Sequence, residues 1–228
     1  MHCFMKAPLG VAELLGLLVQ AHPWHGVATS DDAGYERVNV YIEIVPSDAV
    51  KYELDKRSGQ LKIDRPQRFS SLSPTLYGFV PQTYCAEQVA ARAAIPGIEG
   101  DGDPLDICVM TEKSVAHGVL LKARPIGGLR VIDGNQADDK LVAVLDQDLT
   151  FGHMKDLSEC PEAVVHRLEH YFLSYKQLPD EAAREVRIAA RYGRDEAMEV
   201  IAASRRDYVR HYGDPASRID ELVRLIGR

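Results

Sequence analysis

Three aspartates lie within six residues of one another, at Asp101, Asp103 and Asp106. Gly102 and Pro104 lie between them, so the segment is predicted to form a short turn that holds three like charges. Two carboxylates about 4 Å apart repel by roughly 4 kcal/mol at an effective dielectric of about 20, and a cation or a shared proton relieves that repulsion. We therefore interpret the turn as a hard-metal site, where an oxygen-only ligand set favours Mg2+, Mn2+ or Ca2+ over zinc.

A second acidic segment, residues 133–140, supports the first. It places Asp133, Asp138 and Lys140 in a loop that leads into a predicted strand. Other charged residues fall on neighbouring predicted strands and could face one cavity: Glu43, Lys51, Glu53 and Arg65. Metals that bind oxygens, together with cations that neutralise the remaining charge, are what phosphoryl chemistry requires. A plain Ca2+ store would not need the lysines and arginines.

The composition excludes several classes of function. A chain of 228 residues with 46% hydrophobic and 27% charged residues is typical of a soluble protein with one large domain or two small ones. The formal net charge of -7 argues against a nucleic-acid surface. Four cysteines without metal-ligand spacing predict free thiols in a reducing compartment, which is consistent with a cytoplasmic protein. No apolar run approaches the ~20 residues that a membrane span needs.

The N-terminal region allows more than one interpretation. Residues 11–20 predict a short amphipathic helix, although Lys6 and the apolar run after it loosely resemble a secretory signal, which Glu13 weakens. His22-Pro23-Trp24-His25 follows. Its two histidines could be metal ligands, but we favour a loop anchored by a buried Trp24, which needs no metal.

The next part of the chain has the alternating pattern of strands. Val38, Val40, Ile42 and Ile44 share one face. Residues 50–54 and 61–63, separated by a turn at Ser58 and Gly59, predict a hairpin. Further short strands are expected at residues 79–80, 107–110, 119–123 and 141–145. Many short strands at close spacing indicate a closed barrel or a sandwich.

Helical periodicity begins after Pro161. Val164, Leu168, Tyr171 and Tyr175 form one stripe of a helix that is expected to run through residue 177. Residues 197–211 and 215–226 predict two more helices. Residues 185–191 are ambiguous, because they alternate like a strand but have the composition of a helix. With no internal repeat or linker, the sequence predicts a single domain, 1–228, of a barrel with packed helices.

Seven blocks of residues, in order, resemble the family I soluble inorganic pyrophosphatases. They are Ile42-Glu43-Ile44, Lys51-Tyr52-Glu53, Ile63-Asp64-Arg65, Tyr77-Gly78-Phe79, residues 101–106, residues 133–140 and Tyr175-Lys176. The resemblance covers residues 37–210, with extensions at 1–36 and 211–228. It implies a mainly β (α+β) protein built on a five-stranded OB-like closed barrel with packed helices. It also implies hydrolysis of pyrophosphate to two phosphates by metal-activated water, with Mg2+ as cofactor, Mn2+ as a substitute, and a homo-oligomer.

The same resemblance implies a role for each matched residue. Asp101, Asp106 and Asp138 would bind the first metal, and Asp106 would also bind a second. Asp133 and Glu43 would bind metals that arrive with the substrate, and Asp103 would be the general base. The remaining residues would organise the cavity (Tyr77, Glu53) or bind phosphate oxygens (Lys51, Arg65, Lys140, Tyr175, Lys176). One departure is Ser73, where the family commonly has a tyrosine, and another is the longer segment 85–100, which is expected to be an inserted loop or helical turn.

Two alternatives belong to other classes of function. Asp101, Asp103 and Glu112 match positions one, three and twelve of an EF-hand Ca2+ loop, but Asp106 stands where that loop needs glycine. A non-catalytic OB barrel that binds oligonucleotides would share the fold. The acidic balance and the single tryptophan argue against it.

Overall fold

The computed structural model describes residues 20–67, 71–176 and 185–226. The helix predicted for residues 11–20 lies outside the described residues apart from Gln20, and so does residue 177, the expected end of the second predicted helical stretch. All statements below refer to the described ranges.

The described residues form ten strands and four α-helices in a mixed order. The strands are β1 (Val38–Ile44), β2 (Val50–Leu54), β3 (Leu61–Pro66), β4 (Leu76–Phe79), β5 (Glu99–Gly100), β6 (Asp106–Met110), β7 (Leu120–Asp133), β8 (Gln136–Ala137), β9 (Lys140–Leu145) and β10 (Val186–Gly193). The helices are α1 (Glu87–Arg92), α2 (Glu162–Ser174), α3 (Arg194–Tyr212) and α4 (Pro215–Ile226), with a 3-10 turn at Leu157–Glu159.

Five strands close into a ring in the order β1, β4, β6, β9 and β7, because β7 also pairs with β1. The register places Ile42 opposite Gly78 and Val38 opposite Ala123. Only the β6–β9 pair of the ring is parallel. β8 and β10 extend the sheet from β7, and β2 with β3 forms a separate hairpin. The predicted mainly β fold, with an OB-like closed arrangement of five strands and packed helices, is confirmed.

Strand β9 of the ring is buried on both faces, and its alternate residues enter two different hydrophobic clusters. In β9, Leu141 and Ala143 pack with Val200 and Ile201 of α3, whereas Val142 packs with residues of α2. The burial of apolar surface on both sides of the ring is the main stabilising contribution to such a structure. This packing therefore holds the strands of the ring, and the residues at their ends, in place.

The structure corrects one predicted element and decides two that the sequence left open. β7 runs through Pro125, where the sequence suggested an earlier end, because a register shift between Pro125 and Gly127 accommodates the proline. The ambiguous segment after Glu185 is strand β10, paired with β7. The segment 85–100 contains helix α1 and strand β5.

Among the described helices, none is both long enough and apolar enough to cross a membrane.

Candidate active site

The acidic turn before β6 is fixed by its own backbone and by Cys85. The Asp103 N–H donates to Asp101 Oδ1 at 3.0 Å, and Gly102 has φ +75, a conformation that a residue with a side chain rarely adopts. The Gly102 N–H donates to the Cys85 carbonyl at 3.0 Å, and the Cys85 N–H donates to the Asp103 carbonyl at 2.8 Å. These hydrogen bonds fix the conformation of the turn that carries the carboxylates, and Asp106 is the first residue of strand β6.

All thirteen residues that the resemblance implied line a single cavity of about 700 Å³. Strands β1 to β4 supply five of them, the acidic turn and β6 supply three, the β7–β9 region supplies three, and the end of α2 supplies two. In that order they are Glu43, Lys51, Glu53, Arg65, Tyr77, Asp101, Asp103, Asp106, Asp133, Asp138, Lys140, Tyr175 and Lys176. Ring closure explains the part of this set that consists of Glu43, Tyr77, Asp106 and Lys140, because it brings the ends of distant strands to one place. The separate β2–β3 hairpin and the residues after α2 supply others.

Lys140 lies at the centre of the carboxylates. Its Nζ contacts Asp106 Oδ2 and Asp138 Oδ1, and its side chain is 3% exposed. The Tyr77 hydroxyl donates to Asp106 Oδ2 at 2.6 Å. Burial alone would lower the pKa of Lys140, but Asp106 and Asp138 outweigh it and hold that pKa well above the ordinary value. Lys140 is therefore an ammonium at neutral pH.

The pKa values of two of the carboxyls are also raised, which favours their neutral form. Burial, followed by the charge of Asp138, raises the pKa of Asp101 to about 8. Burial likewise raises the pKa of Glu43 to about 8, although its Oε1 accepts the Leu54 N–H at 2.6 Å. Carboxyl groups that are buried close to one another have raised pKa values, because both burial and the neighbouring negative charge disfavour ionisation. Such shifts are typical of cation-binding sites.

The β2–β3 hairpin holds two cations through a residue that the sequence analysis did not single out. Lys51 lies opposite Arg65 in the register. Lys51 Nζ is 3.2 Å from Asp64 Oδ2 and 3.5 Å from Glu53 Oε2, and Arg65 Nη1 donates to the same Asp64 oxygen at 2.6 Å. Asp64 therefore orients both cations. The only sequence signal was its place beside Arg65 in a matched block.

The residues after α2 form another side of the cavity. Tyr175 stacks on Tyr171 with ring centroids 4.9 Å apart, and Lys176 Nζ donates to Asp133 Oδ2 at 2.6 Å. The helical stripe predicted from the sequence correctly placed Tyr171 and Tyr175 on one face. Phe172 also lines the cavity and was not predicted, because its position lies beside that stripe.

Two further lining residues, Lys56 and Trp24, were not predicted as site residues. Lys56 follows the end of β2, where the alternation of a strand no longer predicts to which side a side chain points. Its Nζ contacts Asp103 Oδ1. Trp24 is 1% exposed, as the interpretation of a loop anchored by a buried tryptophan required. Ser73 is buried, and its hydroxyl donates to the Thr75 carbonyl. It is not among the lining residues, so it does not replace the family's tyrosine there.

The acidic side chains of the cavity fit Mg2+ in their chemistry. Every acidic lining group is a carboxylate, the donor type that Mg2+ prefers. Among the described residues, no three His, Cys, Asp or Glu side chains are grouped closely enough to hold a metal ion in this conformation, and the Lys140 ammonium lies between Asp106 and Asp138. A metal would therefore take the place of Lys140 as their counter-charge. Glu112, which the EF-hand alternative requires, instead pairs with Lys113 at 2.6 Å, after a strand and not a helix.

The sequence of the chain is similar to those of known proteins. A protein-family model described as inorganic pyrophosphatase matches residues 40–209. The chain is 50% identical over 213 residues to the inorganic pyrophosphatase of Chlamydia trachomatis serovar L2, covering 89% of this chain and 97% of that relative. It is 35% identical over 199 residues to the soluble inorganic pyrophosphatase of Zea mays, covering 82% and 85%.

A solved structure gives the same result. The crystal structure of the inorganic pyrophosphatase from Thermus thermophilus superposes with a TM-score of 0.70 at 30% identity, covering 82% of this chain and 98% of that one. The family model spans most of the chain, two relatives exceed 30% identity over most of their length, and the fold is shared. The chain therefore belongs to the inorganic pyrophosphatase family.

Proposed function

We propose that the chain hydrolyses inorganic pyrophosphate to two phosphates with Mg2+ as cofactor and Mn2+ as a substitute. The observation that carries the proposal is the convergence of acidic and basic side chains on one cavity. Among the described residues, seven carboxylates and five cations line it: Glu43, Glu53, Asp101, Asp103, Asp106, Asp133 and Asp138, with Lys51, Lys56, Arg65, Lys140 and Lys176. Divalent cations for the acids and phosphate oxygens for the bases would balance both sets.

Of the seven carboxylates, five would hold metal, Asp103 would handle a proton and Glu53 would order water. Asp101, Asp106 and Asp138 would hold one Mg2+, with Asp106 shared by a second, and Asp133 and Glu43 would hold metals that arrive with the substrate. Bound Mg2+ would lower the pKa of a water and neutralise phosphate oxygens. The resemblance assigns no metal to Asp103, the remaining carboxylate of the turn, and implies that it would accept a proton.

Asp103 and the lining residues that would not hold metal would each have a part in the reaction that fits their chemistry. Asp103 would accept the proton of the attacking water as general base. Lys51, Arg65, Lys140, Lys176 and the Tyr175 hydroxyl would bind the phosphate oxygens, whose charge grows as the bridging P–O bond breaks. The Tyr77 hydroxyl would orient Asp106, to which it already donates, and Glu53 would order the cavity water. No covalent intermediate is required.

A phosphate-release assay tests the proposal. Pyrophosphate, ATP and a phosphomonoester are supplied in parallel, each with Mg2+, Mn2+ or Ca2+. We expect two phosphates released per pyrophosphate with Mg2+, slower release with Mn2+, and little from the other substrates. Absence of release from pyrophosphate with every metal would refute the proposal. A salt-dependent nucleic-acid binding assay run beside it addresses the OB alternative.

We further propose that the chain is one domain, with a catalytic part at residues 37–210 and extensions at 1–36 and 211–228. We also propose that it acts in the cytoplasm as a homo-oligomer, without nucleic-acid or membrane partners. The match of the family model to residues 40–209 supports the catalytic limits. Three buried cysteines in the free state support a reducing compartment. Light scattering after size exclusion tests the oligomer, and a monomer at micromolar concentration would contradict it.

A further inference from the structure

The segment His22-Pro23-Trp24-His25 lies outside residues 40–209, which the family model matches, yet it reaches the catalytic cavity. The Trp24 indole N–H donates to the Thr83 carbonyl at 2.8 Å. The ring stacks on His25 at 4.5 Å and meets Tyr212 edge-on at 5.3 Å. Trp24 is thereby fixed as part of the cavity wall.

The His22 imidazole connects this segment to the turn of the β2–β3 hairpin. Its Nδ1 accepts the N–H groups of Trp24 and His25, at 3.2 and 3.4 Å. An acceptor Nδ1 places the proton on Nε2, and Nε2 is 3.2 Å from the Lys56 carbonyl, to which it donates. Gly59 allows the close approach: its φ is +72, and a Cβ there would lie 2.8 Å from the His22 ring.

The Lys56 side chain continues the connection to the acidic turn. Its Nζ contacts Asp103 Oδ1, and the two side chains are 46% and 43% exposed. Exposed ion pairs of this kind are weak, because two long side chains lose freedom to form them. Lys56 is better placed than an ordinary surface lysine, since its backbone is fixed by His22 and its side chain lines the cavity.

We propose, on the basis of the function proposed above, that Lys56 is a positioning residue that holds the Asp103 carboxylate toward the reacting water, and that His22 positions Lys56. The order of contacts is His22 to the Lys56 carbonyl, and the Lys56 ammonium to Asp103. The segment outside the family match thus takes part in setting the geometry of the general base. Small displacements of a reacting group lower turnover strongly, by about 100-fold for about 1 Å.

The first test compares Lys56→Ala with Lys62→Ala, measuring kcat and KM for pyrophosphate. Lys62 is a matched control: it lies in the same hairpin and pairs with Asp55 at 3.5 Å, but it does not line the cavity. We expect Lys56→Ala to lower kcat by about 10- to 100-fold with little change in KM or thermal midpoint. Lys56→Arg should recover much of the rate, because it keeps a cation of similar reach, and Lys62→Ala should resemble the wild type.

The second test concerns His22. His22→Ala should lower kcat, and His22→Gln, whose amide keeps an N–H donor, should retain most of it. The double variant His22→Ala/Lys56→Ala should be no slower than Lys56→Ala alone, because both changes act through one contact. Emission of Trp24, the sole tryptophan, reports separately whether the segment stays in place. An unchanged emission beside a lowered kcat supports the positioning role.

Different outcomes overturn different statements. An active wild type in which Lys56→Ala matches Lys62→Ala overturns the role of Lys56 alone. Multiplicative effects in the double variant, or full activity of His22→Ala, overturn the role of His22. A wild type that releases no phosphate from pyrophosphate overturns the proposed function, and the positioning role with it.

Discussion

At the scale of residues, types and order predicted most of the carboxylates and cations that line the cavity, but not their partners. Asp101, Asp103 and Asp106 are close in sequence, so their shared turn was predictable. Lys140 contacts Asp106 across the β6–β9 pair, and Asp64 holds Lys51 and Arg65 within the hairpin. Such pairs depend on strand register, which a single sequence specifies weakly.

Replacing Asp103 tests the role of the general base. Asp103→Asn removes a proton acceptor but leaves Asp101 and Asp106 in place, so we expect kcat to fall by about 100- to 10,000-fold while Mg2+ affinity stays within about threefold. Kinetics and calorimetric Mg2+ titration measure the two quantities. Asp146→Asn, at an exposed pair with Arg37, is the control. A parallel loss of Mg2+ affinity would show that Asp103 is a metal ligand instead.

At the scale of elements, local pattern identified most strands and helices but not how long they run. The stripe through Val164, Leu168 and Tyr171 correctly indicated α2, because helical periodicity is local. β7 extends to Asp133 through Pro125 only because β9 and β10 pair with its later part. β10 is likewise a strand because β7 lies beside it, which outweighs the helical propensity of its alanines and arginines.

One carboxylate joins two of these elements and allows a stability prediction. Asp156 Oδ2 accepts the Arg194 N–H at the start of α3 at 2.7 Å, and Oδ1 accepts the Ser158 N–H in the 3-10 turn at 3.0 Å. Asp156→Ala should lower the free energy of unfolding by about 0.5–2 kcal/mol, measured by urea denaturation. Asp195→Ala, an exposed acid in the first turn of α3, should change it by only a few tenths of a kcal/mol.

The difference between wild type and Asp156→Ala should depend on pH. The hydrogen bonds from Arg194 and Ser158 lower the pKa of Asp156 in the folded state. A lowered folded pKa means that the stabilisation is fully present above the unfolded value, about 3.9, and is lost as the pH falls through the lower folded value. Urea midpoints that differ equally at pH 7 and below pH 3 would contradict this assignment.

At the scale of the whole molecule, ring closure brings residues of the candidate site together, and buried ion pairs hold separate elements to one another. Arg130 of β7 has an 8% exposed side chain, lies 3.3 Å from the fully buried Asp139, and donates to Glu196 of α3 at 3.0 Å. Asp139 separates Asp138 from Lys140 in the chain. The pair therefore joins the loop before β9 to the main sheet and to α3, an association that no local pattern predicts.

Breaking this buried pair should be far more damaging than breaking a surface pair. Arg130→Met leaves an uncompensated buried carboxylate, and we expect the free energy of unfolding to fall by about 3–5 kcal/mol. Arg130→Met/Asp139→Leu should recover most of that loss, because no buried charge remains unpaired. Arg37→Met, at the exposed Asp146 pair, should lose at most about 1 kcal/mol. A double variant as unstable as the single one would contradict the account.

Mg2+ should stabilise the whole fold. At a free concentration 100 times its Kd, a ligand that binds only the folded chain contributes about 2.7 kcal/mol, which raises the thermal midpoint of a chain of this size by roughly 5–10 °C. Differential scanning calorimetry with and without Mg2+ measures the shift. Asp101→Asn/Asp106→Asn should lose most of it, and a wild-type midpoint indifferent to millimolar Mg2+ would count against a metal at these carboxylates.

The sequence by itself determined the family, the type of fold and the chemical inventory of the site, because residue types, turn residues and strand or helix periods are properties of short stretches. The tertiary structure decided which of these groups meet. Closure of β1, β4, β6, β9 and β7 brings Glu43, Asp106 and Lys140 to one cavity, and the packing of His22 on the hairpin turn brings Lys56 to Asp103. Both depend on contacts between segments far apart in the chain, which only the closed ring and its packed segments determine.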